Sequence, residues 1–324
     1  MKKFIILVLL PLVDIILSPF TLLSAILLKL IRRGGVYRFK ISKQIFNYVG
    51  IFPVQDHYYE PLFNPKNLKY PLSDPRRLSG INWNIEGQLA LLKQFNFNDE
   101  ILKLNDSKQE SNVRFNFDNP NFRAGDADYF YNIIRLQKPK NIIEIGSGVS
   151  TLLAQEAIQK LKELDPKYSC QHICIEPYEM PWLETMKDVE VMRQIVEEVP
   201  LEFFSKLESG DILFIDSSHV IRPQGDVLIE YLEILPILKP GVFIHIHDIF
   251  SPRDYPEVWI VDQVRLWNEQ YLLEAFLSFN SDFEVIGALN YLKHTFPLEL
   301  AERCPVFAIN PKNCEPGSFW IRRK

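Results

Sequence analysis

The chain has 324 residues, 47% of them hydrophobic and 24% charged, enough apolar material for a large packed domain and too much for a disordered or low-complexity chain. A formal net charge of −5 gives no electrostatic footing for nucleic acid, so no nucleic-acid partner is expected. The four cysteines, Cys170, Cys174, Cys304 and Cys314, show neither a CxxC pair nor zinc spacing. They read as free thiols of a reducing compartment, with a Cys304–Cys314 disulfide as the alternative.

Phe4 to Ile31 is almost continuously apolar, long enough for a hydrocarbon layer of about 30 Å. It lacks a small-residue cleavage motif, so a retained membrane segment over residues 1–33 is expected. Pro11, Asp14, Ser18 and Pro19 interrupt it. Lys2 and Lys3 precede it, and the larger basic group, Lys29, Arg32, Arg33, Arg38, Lys40 and Lys43, follows it. That asymmetry puts the body of the protein in the cytoplasm. Either a simple span or a kinked helix that dips into one leaflet fits the pattern.

Residues 34–121 are rich in prolines and aromatics, as in FPVQDHYYEPLF, YPLSDPRRL and INWNIEGQLALLKQF. They read as a cap or substrate-side extension with one amphipathic helix near Glu86 to Phe95. Asp56, His57, Tyr58 and Tyr59 are acceptor-side candidates there, or a loop anchor. From Asp126 the texture is regular. A helix is predicted over Asp126–Gln137, a strand over Asn141–Ile145 and a helix over Ser150–Leu164. Strands follow at His172–Glu176 and Val189–Met192, then a helix at Leu201–Leu207. A strand at Asp211–Asp216 leads to a helix at Asp226–Leu235 and a strand at Gly241–His247. One long helix, Trp259–Phe279, precedes strands at Phe283–Leu289 and Ser318–Arg323, read as an edge hairpin. The alternation predicts an α/β, Rossmann-like, mostly parallel sheet with helices on both faces, plus the N-terminal membrane helix and the small cap region. Ligands of such sheets lie beyond the strand carboxyl ends. Here those ends carry Glu144–Gly148, Glu176, Asp216–His219 and His247–Asp248.

In NIIEIGSGVST the glycine turn has Thr151 where a dinucleotide fingerprint has its third glycine, and no P-loop lysine. Glu144 beside the turn would repel a pyrophosphate and favour a cationic nucleoside such as S-adenosylmethionine. Glu176 is placed for ribose hydroxyls. Ser147, Ser150 and Asp216 complete the candidate cofactor contacts.

EIGSG, IEPY, DILFIDSSHV and HIHDIF together resemble class I S-adenosylmethionine-dependent methyltransferases, more closely a bacterial subgroup with IDSSH and HDIF segments. The resemblance runs from Phe122 to the C-terminal GSFWIRR, and extends upstream if IFPVQDHYYEPLF belongs to it. It implies a seven-stranded sheet with its last strand antiparallel, a cofactor-binding domain over 122–324, cofactor contacts at Glu144, Gly146, Gly148 and Glu176, and methyl transfer. His219 is the candidate base, its ordinary pKa lying near neutrality, with Asp216 and His247 beside it. Some O-methyltransferases of this fold hold magnesium at these strand ends, so Asp216, Asp248 and His247 are candidate ligands for a divalent ion. His245 reads as a deeper, packed group. The expected activity is methyl transfer to a hydroxyl of a membrane-associated glycan, sugar or other small molecule. The alternatives are a metal-dependent glycosyltransferase using the DxD pair Asp126 and Asp128, which helix capping explains as well, and a non-catalytic membrane-bound scaffold.

Overall fold

A computed structural model describes residues 9–106 and 114–324. Lys2, Lys3 and the start of the apolar run at Phe4 lie outside the described residues. The chain divides into two compact units, Met1–Tyr70 and Pro71–Lys324.

The first unit holds a 25-residue helix, Leu10–Gly34, with exposed apolar side chains and mean hydropathy high enough to cross a membrane. Pro19 sits inside it without breaking it. A proline removes the N–H that would bond to the carbonyl four residues earlier, here Ile15. The Ser18 hydroxyl donates to that carbonyl at 2.8 Å and takes the place of the missing N–H. A second helix, Lys40–Val49, exposes Ile41, Ile45, Tyr48 and Val49. Among the acceptor-side candidates, Asp56 accepts from the Asn64 amide, the His57 ring accepts from the Tyr59 N–H, and Tyr58 and Tyr59 are exposed against each other, as a loop anchor would be.

The second unit is built on seven strands: β1 (Asn141–Ile145), β2 (Gln171–Ile175), β3 (Glu190–Met192), β4 (Ile212–Ile215), β5 (Phe243–Ile246), β6 (Phe283–Ala288) and β7 (Phe319–Arg323). Their order is β3-β2-β1-β4-β5-β7-β6, with β7 antiparallel to both neighbours. The α/β sheet is therefore as expected, with β1 and β4 side by side at the switch in strand order. Its central strands β1, β4 and β5 are almost wholly buried, apolar but for Asn141, Glu144 and His245, because helices cover both faces. Two buried clusters, one around Phe130, Phe214 and Trp320 and one around Ile145, Ile215 and Tyr231, fill those faces.

Two expectations differ from the structure. The last two strands are no edge hairpin: three short helices, Leu289–Thr295, Pro297–Arg303 and Pro305–Ile309, separate them, and β7 lies inside the sheet. Prolines at the starts of the last two helices punctuate that stretch. The long helix predicted over Trp259–Phe279 is a π-helical turn, Val258–Asp262, then an irregular stretch, then the helix Glu269–Leu277. Asn268 stops it, since its N–H bonds to the His219 carbonyl and its side chain accepts from Ile221. Residues 71–121 pack into the main body: Phe95, Ile101 and Phe115 join the first cluster, and Gln88, on the helix Ile85–Leu92, accepts from the Ala288 N–H at 2.7 Å. All four cysteines are unpaired.

At the amino ends of the strands, buried Asp211 accepts from the Lys140 and Asn141 N–H groups, the Asn141 amide and the Glu208 N–H, all at 2.7–2.9 Å. Asp211→Ala leaves those donors without partners and is expected to cost about 3 kcal/mol in urea unfolding. Ligand binding to the folded protein at the other end of the sheet should not change.

Candidate functional site

A cavity of about 620 Å³ opens at the carboxyl ends of β1, β2, β4 and β5. That is the size of a small-molecule site. Its wall at β1 is the glycine turn. Gly146 has φ +77, and a Cβ there would stand 1.8 Å from the Asp216 carbonyl oxygen, so only glycine lets the β1 and β4 ends meet. At Gly148 a Cβ would find only ordinary contacts with Met180, so this bare position leaves space inside the cavity. The Ser147 hydroxyl is buried, lines the cavity and has no hydrogen-bond partner. Glu176, beyond β2, also lines it, its carboxylate accepting from the N–H groups of Tyr178, Glu179 and Ser147.

Glu144 is placed differently from its expected role. It is fully buried and is absent from the cavity wall. Its carboxylate accepts from the Ser150 and Thr151 hydroxyls at 2.9 and 2.8 Å and pairs with His172 Nε2 at 2.7 Å. Burial opposes a charge on His172, but Cys174 and Glu144 outweigh it and push the imidazole up to about 10. Glu144 is thus neutralised beneath the turn and cannot select a cationic cofactor by its own charge. Thr151, which also accepts from the Gly148 N–H, stands in for the missing third glycine because it links the turn to that carboxylate. Ser150 borders the cavity, yet its hydroxyl is given to Glu144.

The opposite wall is a charged cluster. His219, with φ +60 on the loop after β4, has Nδ1 2.8 Å from Glu269 and Nε2 3.3 Å from Asp216 and 3.5 Å from Asp248. Tyr231 donates to the other Glu269 oxygen, and Trp267 packs on the imidazole with ring centroids 4.4 Å apart. Burial favours neutral His219, but Asp216 and Glu269 prevail and raise it to about 10. Burial likewise opposes ionisation of Asp216, but His247 and His219 hold it at about 2. At neutral pH His219 is therefore an imidazolium that donates hydrogen bonds, and the free protein does not hold it ready to take a proton. His247 Nδ1 lies 3.3 Å from Asp248 and 3.7 Å from Asp216, while its Nε2 has no hydrogen-bond partner. His245 is buried one layer down, stacked on Phe214 and bonded to Ser318, and burial drives its pKa down. It is the packed group that the sequence suggests.

Asp216, His219 and Asp248 bring one ligand atom each within 4.8 Å of one another. Of the expected ligands Asp216, Asp248 and His247, the two carboxylates belong to this group, while His219 rather than His247 is its imidazole. Glu269, which orients His219 from fifty residues away, lies within the predicted helix Trp259–Phe279, and no sequence pattern singles it out. Asp126 and Asp128 lie elsewhere in function. Their four oxygens accept from the N–H groups of Gly317, Ser318, Gly125 and Val306. Both residues are buried at the start of the helix Asp126–Gln137: Asp128 caps it, Asp126 ties it to the chain before β7, and neither lines the cavity, which leaves the glycosyltransferase reading without a site here.

Residues 143–249, spanning β1 to the end of β5, match the family model of a methyltransferase domain. An uncharacterised protein of Archaeoglobus fulgidus is 28% identical over 174 residues, covering 50% of this chain and 76% of its own. An O-methyltransferase from Bacillus cereus, solved in complex with S-adenosylhomocysteine, overlaps 76% of this chain and all of its own at 14% identity and a TM-score of 0.35. That overlap is loose; the family match, over part of the chain, is to a methyltransferase domain.

In protein treated with a chelator, the His219 ring resonances should stay those of an imidazolium through neutrality and titrate near 10. The folded pKa lies above the unfolded value of about 6.5, so stability from this pairing is complete below that value and is lost as pH rises through the folded one. Glu269→Gln should bring the NMR midpoint down; an unchanged midpoint would mean Glu269 does not hold the charge.

Proposed function

We propose that the chain transfers a methyl group from S-adenosylmethionine to a hydroxyl, and does so at a membrane. The observation carrying the cofactor reading is the set of groups around the turn. Gly148 leaves room, the Ser147 hydroxyl waits for a partner, and Glu176 stands at the second strand tip, where nucleotide-binding sheets bind ribose. Beside the turn Glu176 and Glu179 line the cavity, with Asp216 across from them, and these carboxylates would oppose a pyrophosphate lodged there. Methyl transfer to oxygen asks the protein to align the two reactants and to dispose of a proton. The ionised Asp216 is the open acceptor for that proton. His219, fixed between Glu269 and Asp216, orients this carboxylate.

The group Asp216, His219 and Asp248 also suits a divalent ion, since carboxylates suit magnesium or manganese and imidazole, once it releases its proton to the binding ion, is a common further ligand. Bound there, such an ion supplies positive charge that lowers the pKa of an acceptor hydroxyl. The membrane reading rests on the exposed apolar helix Leu10–Gly34, followed by basic residues with no acid between Asp14 and Asp56. An acceptor made at the membrane surface, such as a glycan or its sugar precursor, fits that address.

Calorimetry on the full chain in detergent should detect S-adenosylhomocysteine at a single site. Glu176→Ala should weaken it by about tenfold or more, the loss of two ribose hydrogen bonds. No binding by the unaltered chain, or tighter binding of a nucleoside diphosphate, would overturn the cofactor assignment. Manganese titrated by electron paramagnetic resonance should bind at one equivalent and be lost in Asp248→Asn. Equal binding by both proteins would remove the metal from this cluster.

A further inference from the structure

The irregular stretch between Asp262 and Glu269 carries a cation that the cofactor reading does not use. The guanidinium of Arg265 lies 4.7 Å from the ring of Trp259 and 4.5 Å from the ring of Trp267, held between two indoles whose planes differ by 75°. All three residues line the cavity. The arrangement is built into the backbone. The Arg265 N–H bonds to the Trp259 carbonyl at 2.9 Å, closing the loop on itself, and Val264 adopts φ +54 to make that turn. A β-branched residue in the left-handed region is strained and persists only where its surroundings dictate it. Trp267 in turn rests on His219, so the loop is keyed to the charged cluster.

Among the described residues the guanidinium has no acidic partner. Arg76, Arg135, Arg193 and Arg322 each grip a carboxylate. Arg265 makes only its two ring contacts through the side chain among the described residues, although Asp216, Asp248, Glu176 and Glu179 line the same cavity. Stacking occupies the faces of a guanidinium and leaves its in-plane N–H groups available, and that fork matches the paired oxygens of a carboxylate or phosphate. The indoles fix the fork before any ligand arrives, which reduces the ordering lost on binding.

We infer that Arg265, clamped by Trp259 and Trp267, anchors an oxyanion of the methyl acceptor, so that the acceptor is a negatively charged hydroxy compound bearing a carboxylate or a phosphate. The inference rests on the methyltransferase reading and narrows its substrate class. Trp267 ties the anchor to His219, so the anion and the hydroxyl to be methylated are recognised on one continuous wall. A neutral sugar would leave the guanidinium without its partner.

Two of the five tryptophans stack on Arg265, so indole fluorescence reports on the anchor. The full chain in detergent, saturated with S-adenosylhomocysteine, is titrated with glucuronate, glucose 1-phosphate and glucose. Saturable quenching by one or both anions and none by glucose is expected, the tighter anion identifying the headgroup. Arg265→Gln should weaken that response at least tenfold, and Arg265→Lys should recover only part of it, since an ammonium lacks the fork. Calorimetry of S-adenosylhomocysteine on the same variants should match the unaltered chain. Equal quenching by glucose, no response to either anion, or an Arg265→Gln protein that binds anions undiminished overturns the inference. A tenfold loss of S-adenosylhomocysteine affinity in Arg265→Gln also overturns it, assigning the arginine to the carboxylate of the cofactor. Absence of S-adenosylhomocysteine binding in the unaltered chain marks instead the failure of the underlying methyltransferase reading.

Discussion

Everything at the top of this sheet depends on how closely β1 and β4 approach at their ends. With a Cβ at residue 146 the two strand tips could not meet, because the Asp216 carbonyl fills that space. Bringing them together puts the Gly146–Gly148 turn and the loop carrying Asp216 and His219 on the two sides of one cavity. The turn is then held from below: Glu144 fastens the first residues of the helix Val149–Leu164 to β1, and His172 fastens β2 to Glu144. A buried carboxylate is costly unless paired and hydrogen-bonded, and this one is both.

A second balance is electrostatic. Asp216, Asp248 and Glu269 surround His219, and the imidazoles of His219 and His247 are what compensate them in the free protein. Three carboxylates against two imidazoles still give a site that attracts further positive charge. A sulfonium nucleoside and a divalent ion are both species of that kind, which is why the two readings of the cavity reinforce each other. Arg265 stands apart from this balance because the indoles, rather than an acid, hold it.

Much of the fold is legible in the sequence because its strands are short apolar runs with polar residues at their carboxyl ends. The predicted strand Asn141–Ile145 and helix Asp126–Gln137 coincide with those observed. Strand ends also reveal Glu176, Asp216, His219 and Asp248, all of which line the cavity. What the sequence hides are side-chain directions and distant partners. Glu144 sits in the same sequence context as a cavity residue, but it ends within the strand, where alternation turns it toward the helix packed on the sheet. Glu269 acts through a loop fold that no local pattern encodes. The break at Asn268 depends on the His219 carbonyl, a tertiary contact that overrides the helical character of Trp259–Phe279. The pKa of His219 follows from Asp216 on its own loop and from Glu269 fifty residues on, so its ordinary value is a poor guide.

One detail of the N-terminal helix bears on how such segments are recognised. The Ser18 hydroxyl bonds to the carbonyl that Pro19 abandons, so the backbone around the imino acid is satisfied from within. A hydropathy scale that scores residues one at a time counts this Ser-Pro pair as two blemishes on an oily stretch. Taken as a unit, the pair is a self-repairing joint that leaves no exposed polar backbone to the surroundings. Scans that treated adjoining hydroxyl and imino residues jointly would rank segments of this kind higher.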